Sequence, residues 1–162
     1  MRLVDERSLA KYLRWLDGRL ATETTMYIGG GAAMLALVPG AEATKDVDTF
    51  NNEHAERLLD IARDAPKELA LDLNTGITSF DSYLPDDWQR RATLSTGLSG
   101  KRLQVYTLCP EDLVLMKTFR CQVKDLQDIE KLVKLEAFKP NVYRRRFLQM
   151  VRYVVGEPIV HA

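Results

Sequence analysis

Apolar residues recur every three to four positions between Asp5 and Leu20: Leu9, Tyr12, Leu13, Leu16 and Leu20. That spacing puts them on one face of a helix, with Asp5 or Ser8 as its cap. The period then shortens. Met26 to Gly29 predicts a strand, Ala32 to Leu37 a short small-residue helix, and Val47 to Phe50 a second strand. Asn51 or Asn52 caps a helix over 53–63, with Ala55, Leu58, Leu59 and Ala62 inward and Pro66 beyond its end. Leu69, Leu71 and Leu73 alternate with polar positions, which predicts a third strand over 69–73 with Asp72 on its other face. From Thr75 to Leu98 the apolar residues Phe80, Tyr83, Leu84 and Trp88 follow no period, and Pro85-Asp86-Asp87-Trp88 opens a short helix. Arg102 to Thr107 alternates as a strand. Pro110 then starts a helix with Leu113, Met116 and Phe119 inward. A further helix over 126–138 carries Ile129, Leu132, Val133 and Leu135, and Pro140 breaks it. The last helix, over 142–155, turns Phe147, Leu148, Val151 and Val154 or Val155 inward.

This order of elements predicts an α/β (α+β) fold, a small mixed sheet flanked by helices with a C-terminal helical part. The 162 residues make a single domain, with a core over about 1–108 and helices over about 109–162. An apolar content of 46% and a charged content of 28% are ordinary for a globular chain. Formal net charge is zero, so no global field draws in nucleic acid. Charge is nevertheless uneven. Lys131, Lys134, Lys139, Arg144, Arg145, Arg146 and Arg152 face a single acid, Glu136, between 131 and 152, an asymmetry that fits an RNA surface or a solvated helix face. Cys109 and Cys121 have no metal or disulfide spacing and read as reduced thiols. His54 and His161 are too few for a zinc site. Asp5 and Glu6 do not fit a signal peptide, and no apolar run spans a bilayer, so the expected location is cytoplasmic with no membrane partner.

The candidate chemistry lies between the first two strands. Gly29-Gly30-Gly31 follows Ile28 and precedes the small-residue helix; Asp46 and Asp48 open the next strand. Residues i and i+2 of a strand share a face, so the two carboxylates project together. Like charges this close favour a cation between them, and Mg²⁺ binds through one or two carboxylates plus substrate phosphates. A glycine turn lets backbone N–H groups approach a polyphosphate, and a helix start adds positive potential. No Gly-Lys-Ser/Thr follows, and the spacing G-x-G-x-x-G is absent, so neither a P-loop nor a Rossmann fingerprint is present. Lys117 stands among apolar neighbours, placed as a directed cation for a phosphate or a leaving pyrophosphate, or as a lysine that snorkels to water. Asp125 and Asp128 are three apart on a helix and share a face.

Gly29-Gly30, the helix after it and Thr44-Lys45-Asp46-Val47-Asp48 resemble the DNA polymerase β-like nucleotidyltransferase superfamily. Within it the chain resembles the small prokaryotic AbiEii-type group of toxin–antitoxin systems. Pro110 to Lys117 and Lys124-Asp125-Leu126-Gln127-Asp128-Ile129 extend the likeness over roughly residues 24–132. Where relatives often carry an arginine two residues before the threonine, this chain has Glu42. The resemblance implies a transferase that moves an NMP from an NTP to an acceptor hydroxyl with Mg²⁺ (or Mn²⁺). It implies Asp46, Asp48, Lys117 and Asp128 as catalytic residues, with Asp125 as second choice to Asp128. Gly29, Gly30, Gly31, Thr44 and Lys117 would bind the nucleotide. Asp46 and Asp48 would hold the metal, with Asp72 as third carboxylate. The acceptor it implies is tRNA or another RNA, and a cognate antitoxin is an implied partner. Two alternatives stay open: a non-catalytic nucleotide- or RNA-binding module, and transfer to a small molecule or protein.

Overall fold

In the computed structural model, which describes residues 3–50, 52–78 and 83–155, the N-terminal period becomes α1 (Glu6–Arg19). Asp5 caps it: its carboxylate accepts from Ser8 N at 2.7 Å and Ser8 Oγ accepts from Asp5 N at 2.9 Å. Leu9, Tyr12, Leu13, Leu16 and Leu20 are all buried, as the spacing predicts. β1 (Thr24–Ile28) follows, then α2 (Gly30–Leu37), β2 (Val47–Phe50), α3 (Ala55–Arg63), β3 (Leu73–Ile77), α4 (Trp88–Arg91), β4 (Thr93–Leu94), β5 (Leu103–Thr107), α5 (Pro110–Arg120), α6 (Val123–Leu132) and α7 (Pro140–Val154). The mixed α/β class is as expected.

The chain forms two compact units, Met1–Thr78 with Ala92–Leu108, and Ser79–Arg91 with Cys109–Ala162. The first holds a five-stranded sheet in the order β3-β2-β1-β5-β4. β1 runs antiparallel to β2 and parallel to β5, β2 runs parallel to β3, and β4 runs antiparallel to β5. Burial alternates along β1 and β5, so Met26, Ile28, Leu103 and Val105 enter the core. Against them pack α1 and α2, and α1 also meets α3. Asp17 near the end of α1 accepts from the N–H groups of Arg102 and Leu103 at 2.7 and 2.8 Å. That bond fixes the helix against the start of β5.

Two expectations for this unit change. The strand expected over 69–73 lies at 73–77. Leu69 N and Ala70 N both bond back to Pro66 O at 2.8 Å, so Leu69 ends a turn, and of the three leucines only Leu73 enters the strand. For α3, Asn52 Oδ1 accepts from His54 N at 2.9 Å, while Asn51, like Phe80 and His161, lies outside the described residues. Leu59 and Ala62 are only half-buried; Ala55 and Leu58 make the buried stripe.

The second unit is helical. α5 packs on α6 and α7, and stacked rings join Tyr83 to Phe119 at 4.9 Å and Phe119 to Phe147 at 5.6 Å. The inward faces of α6 and α7 differ from the hydrophobic reading. Asp125, Asp128 and Leu132 are the buried residues of α6, and Arg146 and Met150 those of α7. Leu148, Val154 and Val155 are exposed. The reason is ionic. Arg146 donates from Nε and Nη2 to both oxygens of fully buried Asp112, and from Nη1 to Asp87 Oδ1 at 2.8 Å. Arg91 Nη2 donates to Glu111 Oε2 at 3.1 Å, and Lys139 N donates to Glu111 Oε1 at 2.8 Å. A buried charge is retained only when paired and hydrogen-bonded, so these contacts set the helix rotations. Burial raises the carboxyl pKa of Asp112, against the opposing pull of Arg146.

Candidate active site

Each of the three glycines that follow β1 abuts one residue of the segment 44–50. A Cβ at Gly29 would lie 2.9 Å from Phe50 Cε2. At Gly30 it would collide with Asp48 Oδ2, and at Gly31 with Thr44 Oγ1. Gly30 also has φ +51°, a left-handed conformation that costs other residues free energy. Gly30 is therefore a packing requirement of the Asp48 carboxylate, as Gly29 is of the Phe50 ring and Gly31 of the Thr44 side chain.

The backbone divides the work among the three. Gly29 N donates to Asp48 O at 3.0 Å, so its N–H belongs to the sheet. Gly30, Gly31 and Ala32 begin α2, where N–H groups lack intrahelical acceptors. Gly29, the residue at its N-cap, has no side chain with which to cap it. These three donors, at the positive end of the helix, are suited to an anion. Thr44 is buried and forms an antiparallel bridge to Val4; its Oγ1 sits 3.4 Å from Asp46 Oδ1. It braces the entry to β2 behind the glycines.

Asp48 lies within β2, and Asp46 in the bend immediately before it; both are half-buried. Ile28 pairs with Thr49 across β1 and β2. Asp48 and Tyr27 therefore share the sheet face opposite that core pair. Tyr27 pairs in register with Tyr106 of β5, their rings tilted by 31° with centroids 5.3 Å apart. Two carboxylates beside a cradle that only glycine allows fit a hard divalent cation with its phosphate ligands.

Asp72 does not complete a set of three. It is exposed and precedes β3, where its carbonyl accepts from Val47 N at 2.8 Å. Among the described residues no group of three or more His, Cys, Asp or Glu is arranged to hold a metal ion. The residue opposite Asp48 on β3 is Asn74, and its Nδ2 donates to Asp48 Oδ1 at 3.0 Å. Sequence reading misses Asn74 because it searches for a carboxylate and places the strand four residues early.

In the second unit the structure brings Lys117, Asp125 and Asp128 together. Lys117 is 2% exposed. Its Nζ donates to Asp128 Oδ2 at 2.6 Å and to Asp125 Oδ1 at 3.3 Å. Asp125 also accepts from Arg120 Nε at 2.9 Å and Gln122 N at 3.0 Å. Burial alone would raise the Asp125 pKa; the bonds from Arg120 and Gln122 and the Lys117 charge outweigh it and bring it to about 2. Lys117 is thus buried with partners, and its head does not snorkel.

A family model described as a nucleotidyltransferase of unknown function (DUF6036) matches residues 7–155. No curated protein and no solved structure matches the chain. Among the described residues no helix is long and apolar enough to cross a membrane.

Proposed function

The chain belongs to this nucleotidyltransferase family, and from that premise we propose that it moves a nucleoside monophosphate from an NTP to an acceptor hydroxyl, releasing pyrophosphate. The observation that carries the reading is the contact between the glycine turn and the Asp48 carboxylate. It supports the reading because it sets a helix start, suited to phosphate, beside a carboxylate oxygen suited to a divalent cation. The N–H groups of Gly30, Gly31 and Ala32 hold phosphate oxygens. Asp46 and Asp48 would hold Mg²⁺ or Mn²⁺, which when bound neutralises charge on the phosphates. The Tyr27–Tyr106 pair offers the base an aromatic surface on the same sheet face. Positioning and electrostatics carry most of phosphoryl-transfer catalysis, and this arrangement supplies both.

Lys117 and Asp128 keep the roles that the resemblance implies, a cation for the leaving group and an acid that handles the acceptor proton. Lys117 has three N–H donors, two of which face carboxylates. The acceptor we propose is an RNA, tRNA being the class the resemblance suggests. Arg144, Arg145 and Arg152 are exposed along α7 and would contact its phosphates, whereas Arg146 is buried and takes no part. A toxin role with a cognate antitoxin partner belongs to the same proposal and rests on the resemblance alone.

One observation favours a second reading, nucleotide or RNA binding without turnover: the Lys117 ammonium already sits against two carboxylates. Pyrophosphate release from each of the four NTPs, with Mg²⁺ and total RNA, separates the two. Turnover by the native chain and its loss in Asp48→Asn support the transferase. Saturable NTP binding without pyrophosphate selects the second reading.

A further inference from the structure

We infer that Asn74 is the positioning residue for Asp48, and that the sheet therefore takes its divalent cation together with a nucleotide and not alone. This rests on the proposed nucleotidyl-transfer site.

The parallel ladder pairs Asp48 with Asn74, and neighbouring strands lie about 4.8 Å apart. Their side chains meet on the face away from the core, because the flanking residues Val47 and Leu73 are buried. The Asn74 amide has only one consistent orientation. Gly76 N donates to Asn74 Oδ1 at 3.1 Å, and a backbone N–H cannot be an acceptor, so Oδ1 must face it and Nδ2 must face Asp48. Asp48 is then held at both ends. Oδ1 accepts from Asn74 at 3.0 Å, and Oδ2 occupies the space beside Gly30. The carboxylate is fixed towards the helix start before any ligand arrives.

The same bond sets the charge of the site. A carboxylate at this position on β3 would add a third negative charge and bind a cation unaided. Asn74 is neutral and a donor, so the site offers two carboxylates, Asp48 in β2 and Asp46 in the bend before it. That number matches Mg²⁺ sites in which substrate phosphates supply the remaining ligands. The cation accordingly arrives as its NTP complex, and the apo site discriminates against free metal.

The test is Mn²⁺ titration of the full chain, read by the electron paramagnetic resonance of free Mn²⁺. Each titration is run with and without α,β-methylene analogues of the four NTPs, and the Mn²⁺ held by each analogue in the absence of protein is subtracted. The native chain is expected to bind Mn²⁺ roughly tenfold more tightly with an analogue than without. Asn74→Asp is expected to tighten binding of Mn²⁺ alone by about tenfold, since ligand charge count sets cation affinity. Asn74→Ala is expected to weaken analogue-dependent binding several-fold, with thermal unfolding confirming a folded chain. Equal native affinity with and without analogue, or Asn74→Asp and Asn74→Ala both matching the native chain, overturns the inference. Asp48→Asn separates the two levels. If it abolishes analogue-dependent binding while both Asn74 variants match the native chain, the role of Asn74 falls and the site stands. If Asp48→Asn changes nothing, the site reading falls with it.

Discussion

Gly30→Ala and Gly40→Ala form a matched pair that isolates the contact on which the site depends. Both glycines have positive φ, +51° and +69°. A left-handed backbone costs alanine about 1–2 kcal/mol, and the loss of unfolded-state freedom returns about 0.4–1 kcal/mol. Gly40 has nothing within 4 Å of an added Cβ, so Gly40→Ala should cost only the difference, about 1 kcal/mol. At Gly30 the added Cβ meets Asp48 Oδ2. The carboxylate must swing away and give up its bond from Asn74 Nδ2. A hydrogen bond to a charged group contributes about 1.5–3 kcal/mol. Gly30→Ala should therefore cost roughly 2.5–4 kcal/mol in all. Urea unfolding reads the difference. With an m-value of about 2 kcal/mol/M, the Gly30→Ala midpoint should fall about 1 M below that of Gly40→Ala. Pyrophosphate release should be lost in Gly30→Ala and kept in Gly40→Ala. Equal midpoints would show that the glycine turn and Asp48 are not in contact, and the cradle would go with them.

Other outcomes follow from the second unit. Lys117→Met leaves Asp125 and Asp128 buried without their shared cation and should destabilise the chain by about 3 kcal/mol at pH 7; thermal unfolding measures it. The Asp125 pKa of about 2 lies below its ordinary value. Its contribution, about 2 kcal/mol, is thus present above pH 4 and lost as pH falls towards 2. Asp125→Asn should flatten that part of the stability–pH curve, and an unchanged curve would refute the assignment. Replacing Arg144, Arg145 and Arg152 together by Gln should weaken RNA binding and reduce its salt slope by about 1 for each phosphate that is no longer neutralised. Retained affinity and slope would place the RNA elsewhere. Iodoacetamide should label exposed Cys121 and spare Cys109. Burial pushes the Cys109 thiol up to about 12, only partly opposed by Arg91.

Elements whose apolar period agrees with their surroundings are legible from the residues. α1 has a single buried stripe and a capped start, and β2 lies at 47–50 as expected. The glycine turn and Asp48 are each singled out by residue type and spacing, whereas the contact of Gly30 with Asp48 Oδ2 emerges only from the fold. Other features are not legible. The leucines at 69, 71 and 73 alternate like a strand, yet the carbonyl of Pro66 captures the N–H groups of Leu69 and Ala70. β4 is only Thr93–Leu94, too short to show a period. The rotations of α6 and α7 follow ion pairs that join residues distant in sequence, such as Asp112 with Arg146. Hydrophobic period turns Leu148 inward there, while the structure leaves it 48% exposed. Residue type alone assigns the N–H of Gly29 to phosphate; only the ladder reveals that the sheet uses it.

Nucleotide transfer by the glycine turn and the Asp46–Asp48 pair has a product that can be followed. The direct measurement is incorporation of label from each α-³²P NTP, with Mg²⁺, into total RNA, beside the Asp46→Ala/Asp48→Ala double variant. Labelled RNA is expected from one or more NTPs with the native chain and none with the double variant. Labelling that persists in the double variant, or none with any NTP from the folded native chain, would contradict transfer at this site.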